Sequence, residues 1–68
     1  MNTVFNGLDT SDRIRGIIAS RGKTQVELGK LLGLTPETIS ARMKYNKWEV
    51  EELKKIATEY GIETSDLI

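Results

Sequence analysis

The 68-residue chain contains no cysteine and no histidine. Without cysteine there is neither a disulfide framework nor a thiolate metal site. Without histidine the usual zinc sites and nucleophile–base pairs are also missing. We therefore expect no enzyme activity, no metal, no cofactor and no small-molecule substrate.

Long apolar runs are missing too. No segment approaches the roughly 20 residues of a membrane-spanning helix, and the N-terminus lacks the basic-then-apolar pattern of a signal peptide. We therefore expect no membrane partner and a reducing, cytoplasmic setting. A chain of 68 residues has room for one domain, and a domain of this size buries only about 60% of its unfolded surface.

Net charge is absent as well, but the charges are segregated along the chain. Residues 1–12 carry a net charge of −2, residues 13–47 carry +6 and residues 48–68 carry −4. A neutral protein with this distribution can present a basic face, which favours a nucleic-acid partner. The alternative, that solubility and chance produced the asymmetry, stays open at this point.

Helical periodicity recurs through the chain, and no strand-like alternation interrupts it. The first predicted helix has three candidate N-caps (Asp9, Thr10 and Ser11) and an isoleucine stripe (Ile14, Ile17 and Ile18). A later helix places five residues on one face (Val50, Leu53, Ile56, Ala57 and Tyr60), and Thr64 or Ser65 can cap a last turn. The prediction is an all-α, compact bundle of four to five short helices. Residues 1–10 form an N-terminal arm, whose Val4, Phe5 and Leu8 either dock on the core or belong to a loose arm, and residues 11–68 form the domain.

Between these helices, residues 24–43 have the pattern of a helix-turn-helix. Thr24 caps the second helix, with Glu27 at the capping-box position, and Gly33 ends it. Thr35 caps the third helix, and Pro36 takes its first position, where a missing N–H is harmless. Gly29 lies inside the second helix and predicts a close crossing by another helix.

Together these residues resemble the lambda-repressor-like family of DNA-binding domains, which includes Cro and the phage immunity repressors. The resemblance covers about residues 11–68. It depends on Thr24-Gln25, Leu28-Gly29, Gly33, Ile39-Ser40, the stretch from Glu52 to Ala57, Tyr60-Gly61-Ile62 and Asp66-Leu67. It implies a helix-turn-helix fold, a double-stranded DNA operator as partner, and a third helix that enters the major groove.

The resemblance also implies which residues contact DNA. Gln25 matches a residue that contacts phosphate, and several residues of the third helix match residues that face the groove. The predicted interface comprises Lys23, Thr24, Gln25, Thr35, Pro36, Glu37, Thr38, Ser40, Ala41, Arg42, Lys44, Tyr45, Asn46 and Lys47. Two positions depart from the family pattern: Pro36 replaces a common glutamine or serine, and Arg42 replaces a common apolar residue.

Within this set, Thr38, Ala41 and Arg42 share one side of the third helix at i, i+3, i+4 spacing. A small Ala41 permits close approach to the groove, and an arginine can bind guanine with two hydrogen bonds. Arg42 could equally lie along the protein surface. Glu37 could accept a hydrogen bond from cytosine or, as we favour, complement the positive end of the helix.

The sequence thus predicts a sequence-specific transcriptional regulator, most like a phage or prophage repressor, acting in the bacterial cytoplasm or nucleoid and pairing as a homodimer on DNA. One alternative is an antitoxin-type autorepressor. Another is a helical protein-interaction module that no longer reads DNA, which the zero net charge and Glu37 keep open. Trp48 is expected to anchor the fourth helix in the core, although part of that surface could form a dimer interface.

Overall fold

The computed structural model describes residues 8–68. Four α-helices follow one another in this range: α1 (Thr10–Ser20), α2 (Gln25–Leu32), α3 (Pro36–Tyr45) and α4 (Val50–Tyr60). A single 3-10 turn, Thr64–Leu67, follows α4, and no strand occurs among the described residues. The predicted all-α bundle is confirmed. The predicted arm falls mostly outside the described residues, and so do two of its docking candidates, Val4 and Phe5.

Side-chain caps explain where the first three helices begin. Asp9 caps α1, because its carboxylate accepts the Asp12 N–H at 2.9 Å, and Asp12 in turn reaches the Asp9 N–H. Thr24 and Thr35 cap α2 and α3 through the N–H groups of Glu27 and Thr38. Each cap satisfies a backbone donor that the first helical turn leaves open.

Glycine closes the turn between α2 and α3. Gly33 has φ of 70°, a left-handed conformation that ends α2 as predicted. Gly29 is buried, and a Cβ placed there would lie 2.9 Å from the backbone oxygen of Leu34 and 3.4 Å from Ile39 of α3. The turn and α3 therefore both approach α2 at the point where it has no side chain, as the sequence predicted.

All four helices and the 3-10 turn contribute to one core. Its buried members are Ile14, Ile18, Leu28, Leu32, Ile39, Met43, Leu53, Ile56, Tyr60 and Leu67. Five hydrophobic residues pack against this cluster while staying partly exposed: Ile17, Leu31, Leu34, Trp48 and Ile62. The folded chain measures 36 × 25 × 23 Å, so this one layer of side chains fills its interior.

Two local expectations were wrong. Val50 is 61% exposed rather than on the buried face of α4, because it is the first residue of that helix and precedes the turn that packs on the core. The last turn begins earlier than expected, and its cap is Glu63, whose N–H donates to the Asp66 carboxylate at 3.0 Å, rather than Thr64 or Ser65. Of the two alternatives for Leu8, docking on the core or a loose arm, its exposure of 58% favours the second.

Arg21 joins the end of α1 to the end of α4. Its guanidinium donates to the carbonyl oxygen of Tyr60 at 2.8 Å. The last turn of α4 has no basic residue of its own, so Arg21 supplies the positive charge that favours a helix C-terminus. None of the helices in residues 8–68 has the length and apolar character that crossing a bilayer would need.

Candidate nucleic-acid interface

The N-termini of α2 and α3 and the exposed side of α3 form the candidate interface. Thr24, Gln25 and Thr35 are all exposed at the two helix starts. Since the dipole of each helix leaves partial positive charge at its N-terminus, both starts favour phosphate oxygens. The Gln25 side chain makes no hydrogen bond within residues 8–68, so its amide remains available as a donor.

The outward stripe of α3 consists of residues that are exposed at helical spacing: Glu37, Ser40, Ala41, Lys44 and Tyr45. On the opposite side of the helix, Ile39 and Met43 are buried in the core. Ser40 and Ala41 lie at the middle of the outward stripe, where small side chains leave room for another surface to approach the helix closely. Pro36, at the first position of α3, is exposed as well.

Two residues predicted for this stripe lie beside it instead. Thr38 is half-buried, and its hydroxyl lies 3.0 Å from that of Thr35, so both threonines take part in capping α3. Arg42 is also half-buried. The outward stripe is therefore rotated by part of a turn from the predicted line of Thr38, Ala41 and Arg42, and of these three only Ala41 belongs to it.

Arg42 is held by Glu52 of α4. The Nη2 and Nε atoms of Arg42 both donate to Oε2 of Glu52, at 2.8 Å and 3.2 Å. The other Glu52 oxygen accepts the N–H of Glu49 at 2.9 Å, which closes the capping box of α4. The side chains of this pair are only 24% and 13% exposed. Arg42 thus lies along the protein surface, the second of the two orientations the sequence allowed.

Asn46 ends α3 in a left-handed conformation, with φ of 55°. Its Oδ1 accepts the backbone N–H of Ser11 at 2.9 Å and lies 3.2 Å from the Ser11 hydroxyl. The indole N–H of Trp48 donates to the same hydroxyl at 2.9 Å. Ser11 is 1% exposed, and this partly buried network links α1 to the end of α3 and the loop after it. Asn46, a predicted DNA contact, is itself exposed, but its Oδ1 is occupied by the bond to Ser11.

The lysines around α3 are arranged differently. Lys44 and Lys47 are exposed, and neither has a carboxylate within ion-pair distance among residues 8–68. Lys44 lies over the ring of Tyr45, 5.2 Å from its centroid. Lys23, before α2, has only a long contact of 3.9 Å to Glu27. Glu27 forms this contact in place of the second half of the capping box that the sequence predicted.

The arginines in α1 and directly after it bind within the protein. Arg13 donates to the carbonyl of Leu8, Arg15 pairs with Asp12 at 3.0 Å, and Arg21 binds the end of α4. These arginines lie in the basic segment of the sequence, but their side chains bind groups of the protein itself. The cations left for a partner at this surface are therefore the lysines.

Sequence reasoning missed Ser11 and Glu52, the two residues that hold Asn46 and Arg42. Signals for both existed. A tryptophan placed near the core needs a partner for its indole N–H, and an arginine at a position that is commonly apolar needs a carboxylate when it is partly buried. Neither signal names the partner, because these partners lie on other helices.

Comparison with known protein families agrees with the helix-turn-helix arrangement of α2 and α3. A family model described as helix-turn-helix, of the Cro and CI type, matches residues 14–67. Neither the curated proteins nor the solved structures returned a significant match. The matched segment contains most of the described fold and the whole of the candidate interface. The chain belongs to the lambda-repressor-like helix-turn-helix family, whose members are DNA-binding domains rather than enzymes.

Proposed function

We propose that this domain is a sequence-specific transcriptional regulator, most like a phage or prophage repressor, that occupies a double-stranded operator with α3 in the major groove. The observation that carries the proposal is the outward stripe of α3, where small Ser40 and Ala41 lie between a capped N-terminus and exposed lysines. An α-helix with its side chains is about 10–12 Å across, which fits the width of roughly 12 Å in the major groove.

Base contacts come from the middle and start of α3. The methyl group of Ala41 can meet a thymine methyl, and the Ser40 hydroxyl can donate or accept a hydrogen bond at a base edge or phosphate. Pro36 and Thr38 lie where the first turn of α3 would meet the groove. Thr38 contributes through its hydroxyl, which lies 3.0 Å from the hydroxyl of Thr35.

Phosphate contacts flank the groove on both sides. On one side lie Lys23, Thr24 and Gln25 at the start of α2, where the helix dipole adds to the side-chain donors. On the other side lie Lys44 and Tyr45, at the C-terminal end of the outward stripe, and Lys47, which follows it. Such contacts fix the orientation of the protein on the duplex and add affinity without reading sequence.

One recognition helix reads only a few base pairs, so high operator affinity calls for two half-sites about 34 Å apart. We therefore propose that the domain is a monomer or weak dimer in isolation and pairs on DNA. Repression follows if the paired domains cover a promoter, because polymerase cannot then occupy the same DNA.

Selection from a pool of random duplexes, followed by sequencing of the retained DNA, tests this proposal. We expect one enriched motif, with two related halves separated by about one helical turn. Ala41→Glu, which places a carboxylate at the centre of the outward stripe, should abolish the enrichment, whereas Thr58→Glu on the exposed side of α4 should preserve it. Retention of no duplex by the unmodified protein would favour a protein-interaction module.

A further inference from the structure

We propose that Glu52 is a positioning residue that keeps the Arg42 cation off DNA and so limits the general DNA affinity of the domain. This inference rests on the proposed DNA binding. Arg42 follows Ala41 of the outward stripe and belongs to the same last turn of α3 as Lys44. Its position alone would favour a phosphate contact, but its guanidinium is bound to α4.

Several bonds hold the ion pair of Arg42 and Glu52 in place. Two guanidinium nitrogens share one carboxylate oxygen, and the second oxygen is fixed by the backbone N–H of Glu49. Because both side chains have low exposure, water and salt screen the attraction between them less than in the exposed ion pairs of the same protein. A phosphate would have to displace an oriented, partly buried carboxylate to bind Arg42.

The lysines near Arg42 are not held by a carboxylate in this way. Lys44 and Lys47, at the same end of α3, have no carboxylate within ion-pair distance among residues 8–68. Glu52 therefore withdraws one specific cation from a surface that otherwise keeps its positive charge. Because non-specific binding depends on the number of neutralised phosphates, the withdrawal of one cation lowers affinity for all DNA.

The salt dependence of binding counts these contacts. Three phosphate contacts, by Lys23, Lys44 and Lys47, give a slope of about −2.7 for log affinity against log salt, and a fourth contact gives about −3.6. Glu52→Gln keeps the shape and the capping oxygen but removes the charge that holds Arg42. We expect this variant to steepen the slope by about 0.9 per domain and to tighten binding at 0.1 M salt by roughly 8-fold.

The experiment measures fluorescence anisotropy of a labelled random-sequence duplex at several salt concentrations. Glu51→Gln is the matched control, since Glu51 is 82% exposed and one residue away, and its loss removes the same charge without releasing Arg42. The double variant Glu52→Gln/Arg42→Met should return to the original slope. Circular dichroism at the same temperature verifies that each variant is folded.

Three results would overturn the inference: an unchanged slope in Glu52→Gln, an equal change in Glu51→Gln, or a steep slope that survives in the double variant. A merely structural ion pair would change the melting temperature and leave the slope as it was. If the unmodified protein binds no duplex at any salt concentration, the proposed function itself fails, and that outcome is distinct from the other three.

Discussion

At the scale of single residues, two helical glycines have opposite surroundings. Gly16 lies in the middle of α1, and a Cβ added there would have no neighbouring atom within 4 Å, whereas a Cβ added at Gly29 would meet the Leu34 carbonyl oxygen at 2.9 Å. Glycine inside a helix costs about 1 kcal/mol relative to alanine. The atoms that a new Cβ would meet decide whether substitution by alanine recovers this free energy.

We expect Gly16→Ala to raise the free energy of unfolding by about 1 kcal/mol, because alanine restricts the unfolded chain and meets no obstacle. Gly29→Ala should fail to give this gain, since the turn carbonyl must move. Urea unfolding of both variants beside the original protein measures the difference. A stabilisation of equal size at the two positions would show that the turn yields freely.

Glu37 is the one acidic residue on the outward stripe of α3, in the first helical turn. We expect Glu37→Gln to tighten binding to all DNA sequences alike, because a charge that repels phosphates is removed. The free energy of unfolding should fall by about 0.3–1 kcal/mol, because the positive end of the α3 dipole loses a nearby negative charge.

Affinities for the selected operator and for its single-base variants test this prediction, with the original protein and the Glu37→Gln variant measured side by side. Uniform tightening with the same order of preference is the expected result. Loss of discrimination at one base pair, by about 1–3 kcal/mol, would instead show that the carboxylate accepts a hydrogen bond from a base.

At the scale of helices, the orientation of α3 depends on bonds to its neighbours at both sides. Asn46 and Trp48 connect the end of α3 and the following loop to Ser11 of α1, and Arg42 connects α3 to α4. The residues proposed to contact DNA at this end, Lys44 and Lys47, lie within the same stretch. Their placement is therefore set by α1 and α4, which contribute none of the proposed DNA contacts.

Trp48 tests how much the Ser11 network contributes. Trp48→Phe keeps an aromatic ring but removes the donor to Ser11, and we expect it to cost about 1 kcal/mol of stability beyond the change in packing. Trp48→Ala should cost about 3–5 kcal/mol, enough to unfold much of a small domain.

A double-mutant cycle with Ser11→Ala separates the hydrogen bond from the packing. Because both substitutions interrupt the same bond, their effects on the free energy of unfolding should not add, with a coupling of about 0.5–3 kcal/mol. Additive effects would show that the bond contributes nothing and that Trp48 acts through its ring alone.

At the scale of the whole molecule, zero net charge conceals a division of roles among the charged residues. Arg21 closes the end of α4 and Arg42 joins α3 to α4, while several lysines remain exposed around α3. Six of the ten carboxylates lie in residues 48–68, on α4, at its start and around the last turn. The basic and the acidic residues are therefore concentrated in different segments of the chain.

Global stability should depend on alkaline pH through Tyr60. Burial raises the pKa of this phenol above its ordinary value, and the charges of Glu59 and Glu27 raise it further. The folded state then holds the Tyr60 proton more tightly than the unfolded state. The protonated phenol therefore contributes its full stabilisation below pH about 10, and this contribution is lost as pH rises through the higher pKa of the folded state.

Urea unfolding between pH 8 and 11 measures the effect, with Tyr60→Phe as the comparison because phenylalanine has no proton to lose. The difference in unfolding free energy between the two proteins should shrink or reverse in favour of Tyr60→Phe above pH 10. Parallel curves would contradict the prediction, since they would mean that the phenol has the same pKa in both states.

The helices, most of their caps, the glycine turn and the family could all be predicted from the order of the amino acids. These features depend on residues within about four positions of one another, so the local pattern carries them. Asp9, Thr24, Thr35 and Gly33 all act within a single turn of chain, and each lies where the pattern predicts.

Which side of α3 faces outward, and which predicted contacts are already engaged, became visible only in the folded molecule. Arg42 meets Glu52 ten residues away, and Asn46 meets Ser11 at a separation of 35 residues. No local period marks such pairs, because the partner is chosen by how helices pack rather than by spacing along the chain. The residue types needed for DNA contact are visible in the sequence, but their availability is a property of the fold.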